Sequence, residues 1–452
     1  MARVARAVIV RSIPLPRRMF RAFVELEGMY RNIVEQLAMF SASNNIKSFT
    51  KLKALRYRES RSLYPHLPSH YVYTACQDAS TRTKSFLKLK KQGLADRDYP
   101  EVRKVSIWLD DHLWKPNGLT SIRIATHKGW ITVEFEPHKQ YWRYINKGWR
   151  LTSEAKIKLD KRSRQLIIYL TFAKEVNEFK PSGYLSVDVN ENNVTVLVDG
   201  VAYLLETSLE KIVLGYYYRR KRVQGKYEKP YGVDSRVKKK ILRKLRERVK
   251  KSDVRWKIAN IVVRAAYEKR YAVILERLGK RPANSMISRI RDKQLRHRIF
   301  QTSFRGIQRA IEEKARECGV PMIYVDPRNT SKTCPIHNAP IAYSNSSRIG
   351  RCSVGGEPWH RDVAACWNLL YRARLGDGSF APSLGRVALD GRLIPLASTA
   401  THEPIGISKS LWARWNSLPQ IQNDTFKQSE AVGRNGYELL FQLWGVPHQG
   451  YY

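Results

Sequence analysis

Three acidic residues stand where acids are costly. Asp188 lies between valines in SVDV, a run that otherwise reads as a core strand. Glu276 ends the apolar run YAVILE, and Asp362 opens the helix-like stretch DVAACWNLL. An acid in a buried strand is unfavourable unless something pairs it. If the three converge, oxygen ligands of this kind hold one or two divalent cations, Mg²⁺ or Mn²⁺. Such ions can activate a water and stabilise the leaving 3′-oxygen when a phosphodiester is hydrolysed. Taken singly, each acid also reads as something plainer: a strand-end turn residue, an exposed strand terminus, an N-cap. The joint reading is stronger because the order of elements around them selects the same three positions.

A second set mixes sulfur and nitrogen. Cys334 and His337 have the spacing of a zinc knuckle, Cys352 begins a second, and Gly355 stands where that knuckle would end. A closed structural zinc site needs four ligands. His360 is the expected fourth, giving C-x2-H-x14-C-x7-H. The alternative is a degenerate ribbon held by packing alone. The five cysteines are scattered over 452 residues, which makes no disulfide framework and suggests a reducing compartment.

The charge narrows the partners. With 82 Lys and Arg against 40 Asp and Glu, the chain carries +42. A field of that size favours a polyanion, with nucleic acid as the default. Arg219 to Lys257 holds 18 basic against 4 acidic residues. Arg219, Arg220, Lys221, Arg222, Lys238, Lys239, Lys240, Arg243 and Lys244 are the expected phosphate contacts. Tyr57, Tyr64, Tyr71 and Tyr73 either stack on unpaired bases or belong to helix cores. The 43% hydrophobic and 11% aromatic content excludes a wholly disordered basic tail. No uncharged apolar run approaches the ~20 residues of a membrane span. The short apolar run at the start is interrupted by Arg11 and reads as a strand rather than a signal peptide.

These residues need a scaffold. Residues 2–13 alternate as a strand. Residues 17–102 turn helical, Pro65 and Pro68 interrupt them, and a new helix is expected from Ser69 to Lys91. TSIRIATH, WITVEFE, AKIKLD and QLIIYLTF return to strands, the last two joined as a hairpin at 160–164. From 183 the order is three antiparallel strands, helix, strand, helix, strand, helix. Asp199-Gly200 signals a tight hairpin. Ile241, Leu245 and Val249 share one helical face, and Gly319 stops the helix at 303–318. This is an α/β multidomain chain whose second half has the element order of an RNase H-like fold. Residues 376–452 read as a tail with short helical pieces.

At these positions the chain resembles the TnpB family, nucleases of insertion sequences related to type V CRISPR effectors. SVDVNENN matches the first RuvC segment, VILERL the second, VDPRNTSKTCPIH the entry to the zinc ribbon, and HRDVAACWNLL the third. The resemblance is specific over residues 181–370 and weaker before them. It implies a β-barrel-like wedge domain at 1–16 and 103–180 and a helical recognition insertion at 17–102. A RuvC-like nuclease domain would follow at 181–375, with a zinc-ribbon-like insertion at 327–361. The family's catalytic acids fall on Asp188, Glu276 and Asp362. The chain departs from the family pattern in places. The glycine after the first Asp is absent, with Asn190 and Asn192 nearby. Asp-Arg-Asp becomes His360-Arg361-Asp362, the following Asn is Ala364 while Asn368 is kept, and the ribbon's second and fourth cysteines are His337 and Gly355.

The resemblance further implies a guide RNA, double-stranded target DNA with a short flanking motif, and a prokaryotic, cytoplasmic, nucleoid-associated protein without a membrane. Base pairing would then read the sequence. Three rivals use the same features: a strand-transferring transposase, a guided DNA-binding regulator that does not cut, and a junction resolvase acting as a dimer without RNA.

Overall fold

The computed structural model describes residues 2–228, 235–279, 282–288, 290–302, 304–344 and 347–375. The expected tail at 376–452 lies outside the described residues. The chain divides into two compact units, a first of residues 3–175 and a second of residues from 176 onward together with residues 1–2.

The first unit opens with β1 (Ala2–Ser12), followed by three helices, α1 (Arg17–Ser43), α2 (Phe49–Leu63) and α3 (Ser69–Lys91). Strands β2 (Ile107–Leu109), β3 (Trp114–Pro116), β4 (Ser121–Thr126) and β5 (Gly129–Glu136) come next. A short helix, α4 (Lys139–Asn146), precedes the long pair β6 (Arg150–Asp160) and β7 (Gln165–Val176). The strands form one seven-stranded sheet in the order β2-β6-β7-β1-β5-β4-β3. Three- and four-residue spacing buries Phe23, Leu26, Tyr30, Ile33, Val34 and Leu37 along α1, the stripe expected of a helix covering a core. Tyr71 settles one open alternative in favour of a helix core. It is fully buried, and its hydroxyl donates to the Ala125 carbonyl at 2.6 Å, so it pins α3 to β4 and cannot stack on a base.

In the second unit β8 (Gly183–Val189), β9 (Asn193–Val198) and β10 (Val201–Glu206) form an antiparallel meander. Asp199 and Gly200 both have positive φ and join Val198 to Val201 in the expected tight hairpin. Helices α5 (Leu209–Glu228), α6 (Ser235–Lys244) and α7 (Glu247–Lys269) follow. The face expected to run through Ile241, Leu245 and Val249 is broken. Arg246 takes a left-handed conformation between α6 and α7, and Val249 is left exposed. Strand β11 (Tyr271–Glu276) is followed by α8 (Pro282–Ile287), α9 (Lys293–Thr302) and α10 (Phe304–Cys318), then β12 (Met322–Val325). Three short strands, β13 (Ile341–Tyr343), β14 (Ile349–Cys352) and β15 (Pro358–His360), precede α11 (Arg361–Leu375).

The main sheet runs β10-β9-β8-β11-β12, with β8, β11 and β12 parallel to one another. Side chains alternate across a sheet, so each strand serves two cores. Leu185, Val187, Val273 and Leu275 face α7 and α10. Leu197, Ile274 and Val325 pack instead with Val363, Cys366 and Trp367 of α11 and with ribbon residues Ile341 and Trp359.

Gly319 closes α10 with φ +72°, and a Cβ there would collide with the backbone carbonyl of Asn177. Left-handed backbone costs an L-residue about 1–2 kcal/mol before any clash. Gly319→Ala should therefore lower stability by about 2–4 kcal/mol in urea unfolding. An unchanged midpoint would refute the close approach.

Candidate active site and metal centre

The register of two parallel strands sets the first two acids side by side. Val187 pairs with Leu275, so Asp188 and Glu276 are the next residues on neighbouring strands. Ser186 and Asp188 share a face of β8, while Asp362 and Cys366 lie one turn apart on α11. The Ser186 hydroxyl donates to the Cys366 carbonyl at 2.8 Å. That bond fixes α11 against β8 and aligns the Asp362 turn with Asp188. Glu276 follows Ile274 on the same face of β11, which is also the face that packs on α11. Gln308 of α10 donates to the Glu276 carbonyl at 2.9 Å and holds the strand end.

The three acids thus face one another in a poorly solvated place. Asp188 is 7% exposed and Asp362 1%. Burial, then the charges of Glu276 and Asp362, push the Asp188 carboxyl well above the usual carboxylate range, although Asn190 donates to it at 2.7 Å. Burial also raises Glu276, to about 7, against the opposing pull of Arg361 and Arg372. Asp362 accepts from Arg348 at 2.8 Å. Sequence reasoning missed Arg348, because nothing in its own surroundings marks it. It reaches the site only because the turn before β14 returns to the start of α11, where the Arg361 amide donates to the Arg348 carbonyl at 2.8 Å.

The loop leaving β12 is tied to α11 by Asn368, whose amide donates to the carbonyls of Thr330, Thr333 and Ala364 at 2.7, 2.8 and 3.0 Å. Beyond it, Cys334, His337 and Cys352 come together as expected, and the fourth group beside them is Glu357. Cys334 Sγ and Cys352 Sγ lie 3.7 and 3.5 Å from His337 Nδ1. These separations match the ~3.6 Å sulfur–nitrogen edge of a tetrahedron with zinc–ligand arms of ~2.3 and ~2.0 Å. Glu357 Oε1 is 2.9 Å from both Cys334 Sγ and His337 Nδ1. A Cβ on Gly355 would collide with the Glu357 carboxylate and the His337 ring. Glu357 therefore fills the space that a fourth cysteine at 355 would need. The Gly355 amide donates to Cys352 Sγ at 3.5 Å, completing a turn around the sulfur.

His360 does not join this group. It precedes the first residue of α11, and its Nδ1 accepts the Asp362 amide at 3.3 Å, a cap on the helix end that carries the third acid. Burial lowers the affinity of the His360 ring for a proton, which suits that acceptor role.

Of the expected phosphate contacts, Arg219, Arg220, Lys221 and Arg222 lie on α5, and Lys238, Lys239, Lys240, Arg243 and Lys244 on α6. Arg220 is engaged internally, with Glu247 at 3.1 Å and His297 at 2.9 Å. Lys221, Arg222, Lys239, Lys240, Arg243 and Lys244 are exposed. Arg219 is exposed too and lies over the Tyr216 ring.

Two family models match the chain. The Cas12f1-like TNB domain covers residues 304–369, and the uncharacterized MJ0013 family covers 26–125. An uncharacterized protein of Methanocaldococcus jannaschii, MJ0857, is 28% identical over 244 residues, which is 50% of this chain and 89% of that one. The TnpB-like protein MJ0751 of the same organism is 26% identical over 215 residues, 46% of this chain and 75% of its own. A protein chain in a Cas12f1-sgRNA-target DNA complex aligns with a TM-score of 0.51 at 15% identity, covering 78% of this chain and 83% of that one. The fold is thus a mixed α/β, multidomain architecture of the Cas12f kind. The domain match and the homologue MJ0751 make the chain similar to TnpB-like proteins. No helix among the described residues is long and apolar enough to cross a membrane.

The raised carboxyls set a pH dependence for the metal-free protein. The folded state holds protons on Asp188 and Glu276 that the unfolded chain releases near the ordinary value of 4.5 for Glu276. Their contribution is favourable below that value and is lost as pH rises through about 7. In chelator, the urea midpoint should fall across this window, with Glu276 accounting for up to about 3 kcal/mol. Glu276→Gln should flatten the fall. An identical profile in the variant would show that the Glu276 carboxyl is solvated.

Proposed function

We propose that the chain is an RNA-guided, metal-dependent DNA endonuclease whose second unit is an RNase H-like, RuvC-type nuclease domain. The observation that carries this reading is the convergence of Asp188, Glu276 and Asp362 at the ends of β8 and β11 and the start of α11. Buried acids that repel one another fit a divalent cation, and an all-oxygen set suits Mg²⁺ or Mn²⁺. When bound, such a cation supplies activation of a water and charge stabilisation at the scissile phosphate. The chain's own part is positional. Asp188 and Glu276 are aimed by strand register, Asp362 by the capped end of α11, and Asn190 orients the Asp188 carboxylate. Arg348 neutralises Asp362 and is placed to meet an anionic substrate oxygen.

In this reading the wedge, 1–16 and 103–180, and its helical insertion, 17–102, make up nearly all of the first unit. Its partners and those of α5 and α6 are the guide RNA and the target duplex with its flanking motif. The relation to a TnpB-like homologue, the Cas12f1 fold likeness and the charge of +42 support a guided mode of action. The test uses protein purified with its copurifying RNA and a matching target. Asp188→Ala, Glu276→Gln and Asp362→Ala should each slow cleavage about 10³-fold while RNA binding persists. Cleavage by Asp188→Ala near the wild-type rate would overturn the assignment.

The ribbon fits zinc with Cys334, His337, Cys352 and Glu357 as its ligands. The sulfur–nitrogen spacing supports this, as does a Cys334 thiol raised by burial and by the neighbouring Glu357, a group that a metal would stabilise as thiolate. Metal analysis of the wild type should find about one zinc in this site. Glu357→Ala and Cys334→Ser should lower zinc content and thermal stability together, whereas His360→Ala should keep the zinc. The reverse ranking would restore His360 as the ligand.

A further inference from the structure

A further cluster of metal-ligating side chains lies in the first unit and shares no residue with the ribbon or the carboxylates. His70 is in the first turn of α3, Asp110 follows β2, and His112 lies in the turn between β2 and β3. One ligand atom from each of the three falls within 4.8 Å of the others. His70 Nδ1 is 2.7 Å from Asp110 Oδ2, and the two imidazoles are stacked with centroids 3.8 Å apart.

The backbone beneath each ligand is fixed. Tyr71, next to His70, is fully buried and bonded to the Ala125 carbonyl. The Asp110 carbonyl accepts the amides of Leu113 and Trp114 at 3.0 and 3.2 Å, and Asp110 Oδ1 accepts the His112 amide at 3.1 Å. Leu113 and Trp114 are themselves buried, and the Trp114 indole donates to the Ser153 carbonyl at 2.7 Å. Bringing three side chains together here therefore costs little ordering of the main chain. A fourth residue points more directly to a ligand. Asp111 Oδ1 is 3.0 Å from His112 Nδ1. A carboxylate that accepts a hydrogen bond from Nδ1–H leaves Nε2 with its lone pair, the arrangement that orients most metal-binding histidines.

We propose that His70, Asp110 and His112 form a third metal site, for a late first-row divalent ion of the zinc class, which ties α3 to the β2–β3 turn. Two nitrogens and one carboxylate oxygen suit Zn²⁺, Ni²⁺ or Cu²⁺ and disfavour Mg²⁺ and Ca²⁺, which take oxygen ligands. Three protein ligands leave a position for water, and the site is open to solvent through His112, whose side chain is 60% exposed.

The test uses the full chain with Zn²⁺ and Co²⁺ as probes. After equilibration with Zn²⁺ and removal of excess, His112→Gln and His70→Gln should each hold about one zinc per chain fewer than the wild type. Co²⁺ separates this site from the ribbon. Thiolate-to-cobalt absorption in the near ultraviolet belongs to Cys334 and Cys352 and should persist in both histidine variants, while the weaker visible absorption of a nitrogen–oxygen site should be lost. Because His112 is exposed, His112→Gln should fold, which circular dichroism checks. If it does not, His70→Gln gives the same reading. Equal zinc content in the wild type and the folded histidine variant would overturn the proposal and leave a hydrogen-bonded stack that only packs α3 against the turn.

Discussion

The second unit is organised around a repulsion. Asp188, Glu276 and Asp362 are pressed together in a poorly solvated place; burial raises the protonation of the first two, and for Asp188 the charges of Glu276 and Asp362 add to it. Such a cluster persists only if the surrounding fold holds it by force of packing and hydrogen bonds. Here the restraints are identifiable. Strand pairing fixes Asp188 beside Glu276, the Ser186–Cys366 bond fixes α11 across them, and Gln308 and Asn368 hold the strand end and the exit loop. The central sheet and its helices act as a clamp, and a cation would relieve what the clamp imposes.

The ribbon is coupled to that clamp through two residues. Arg348, just before β14, reaches Asp362, and His360, at the end of β15, caps the helix that carries Asp362. Strand pairing of Ile349 with His360 keeps the two in step. Loosening the Cys334–Glu357 centre therefore shifts the residues that neutralise and aim the third acid. In the proposed reading, that coupling gives a physical reason for the insertion between β12 and α11 to hold a metal. The site next door is sensitive to small displacements, and a cross-linked knuckle is stiffer than a loop.

The sequence made much of this legible, and the reasons it stopped are local. Strands β8 to β10, the helix from Ser69 to Lys91 and the stop at Gly319 follow from alternation, a proline break and a left-handed glycine, all nearest-neighbour effects. Each acid alone had a plain local reading, and the three stood out because the order of strands and helices selects the same three positions. Glu357 was invisible for the opposite reason: an acid beside glycines in a polar loop looks ordinary until the gap at Gly355 is seen to be its place. His360 was misread because spacing cannot tell a ligand from a helix cap. Tyr71 was left undecided because the pattern of α3 does not show which face meets β4. The break at Arg246 depends on a backbone conformation with no side-chain signature.

Two fields of opposite sign coexist in this chain, and their ranges differ. Several acids of the second unit are answered by a basic partner at close range: Glu191 and Glu210 by Arg298, Glu247 by Arg220 and Lys251, Glu312 by Arg305 and Asp362 by Arg348. The net excess is basic, and exposed basic residues stand on α5 and α6. At a distance a polyanion meets the net positive charge, screened over about 8–10 Å in physiological salt. Within the last few ångströms it meets three carboxylates, which repel a phosphate. The long-range field can gather a nucleic acid but cannot seat its backbone on the acids. In the proposed reading only a cation between acids and phosphate reverses that last repulsion, so binding and cutting would respond to different charges and be separable by mutation.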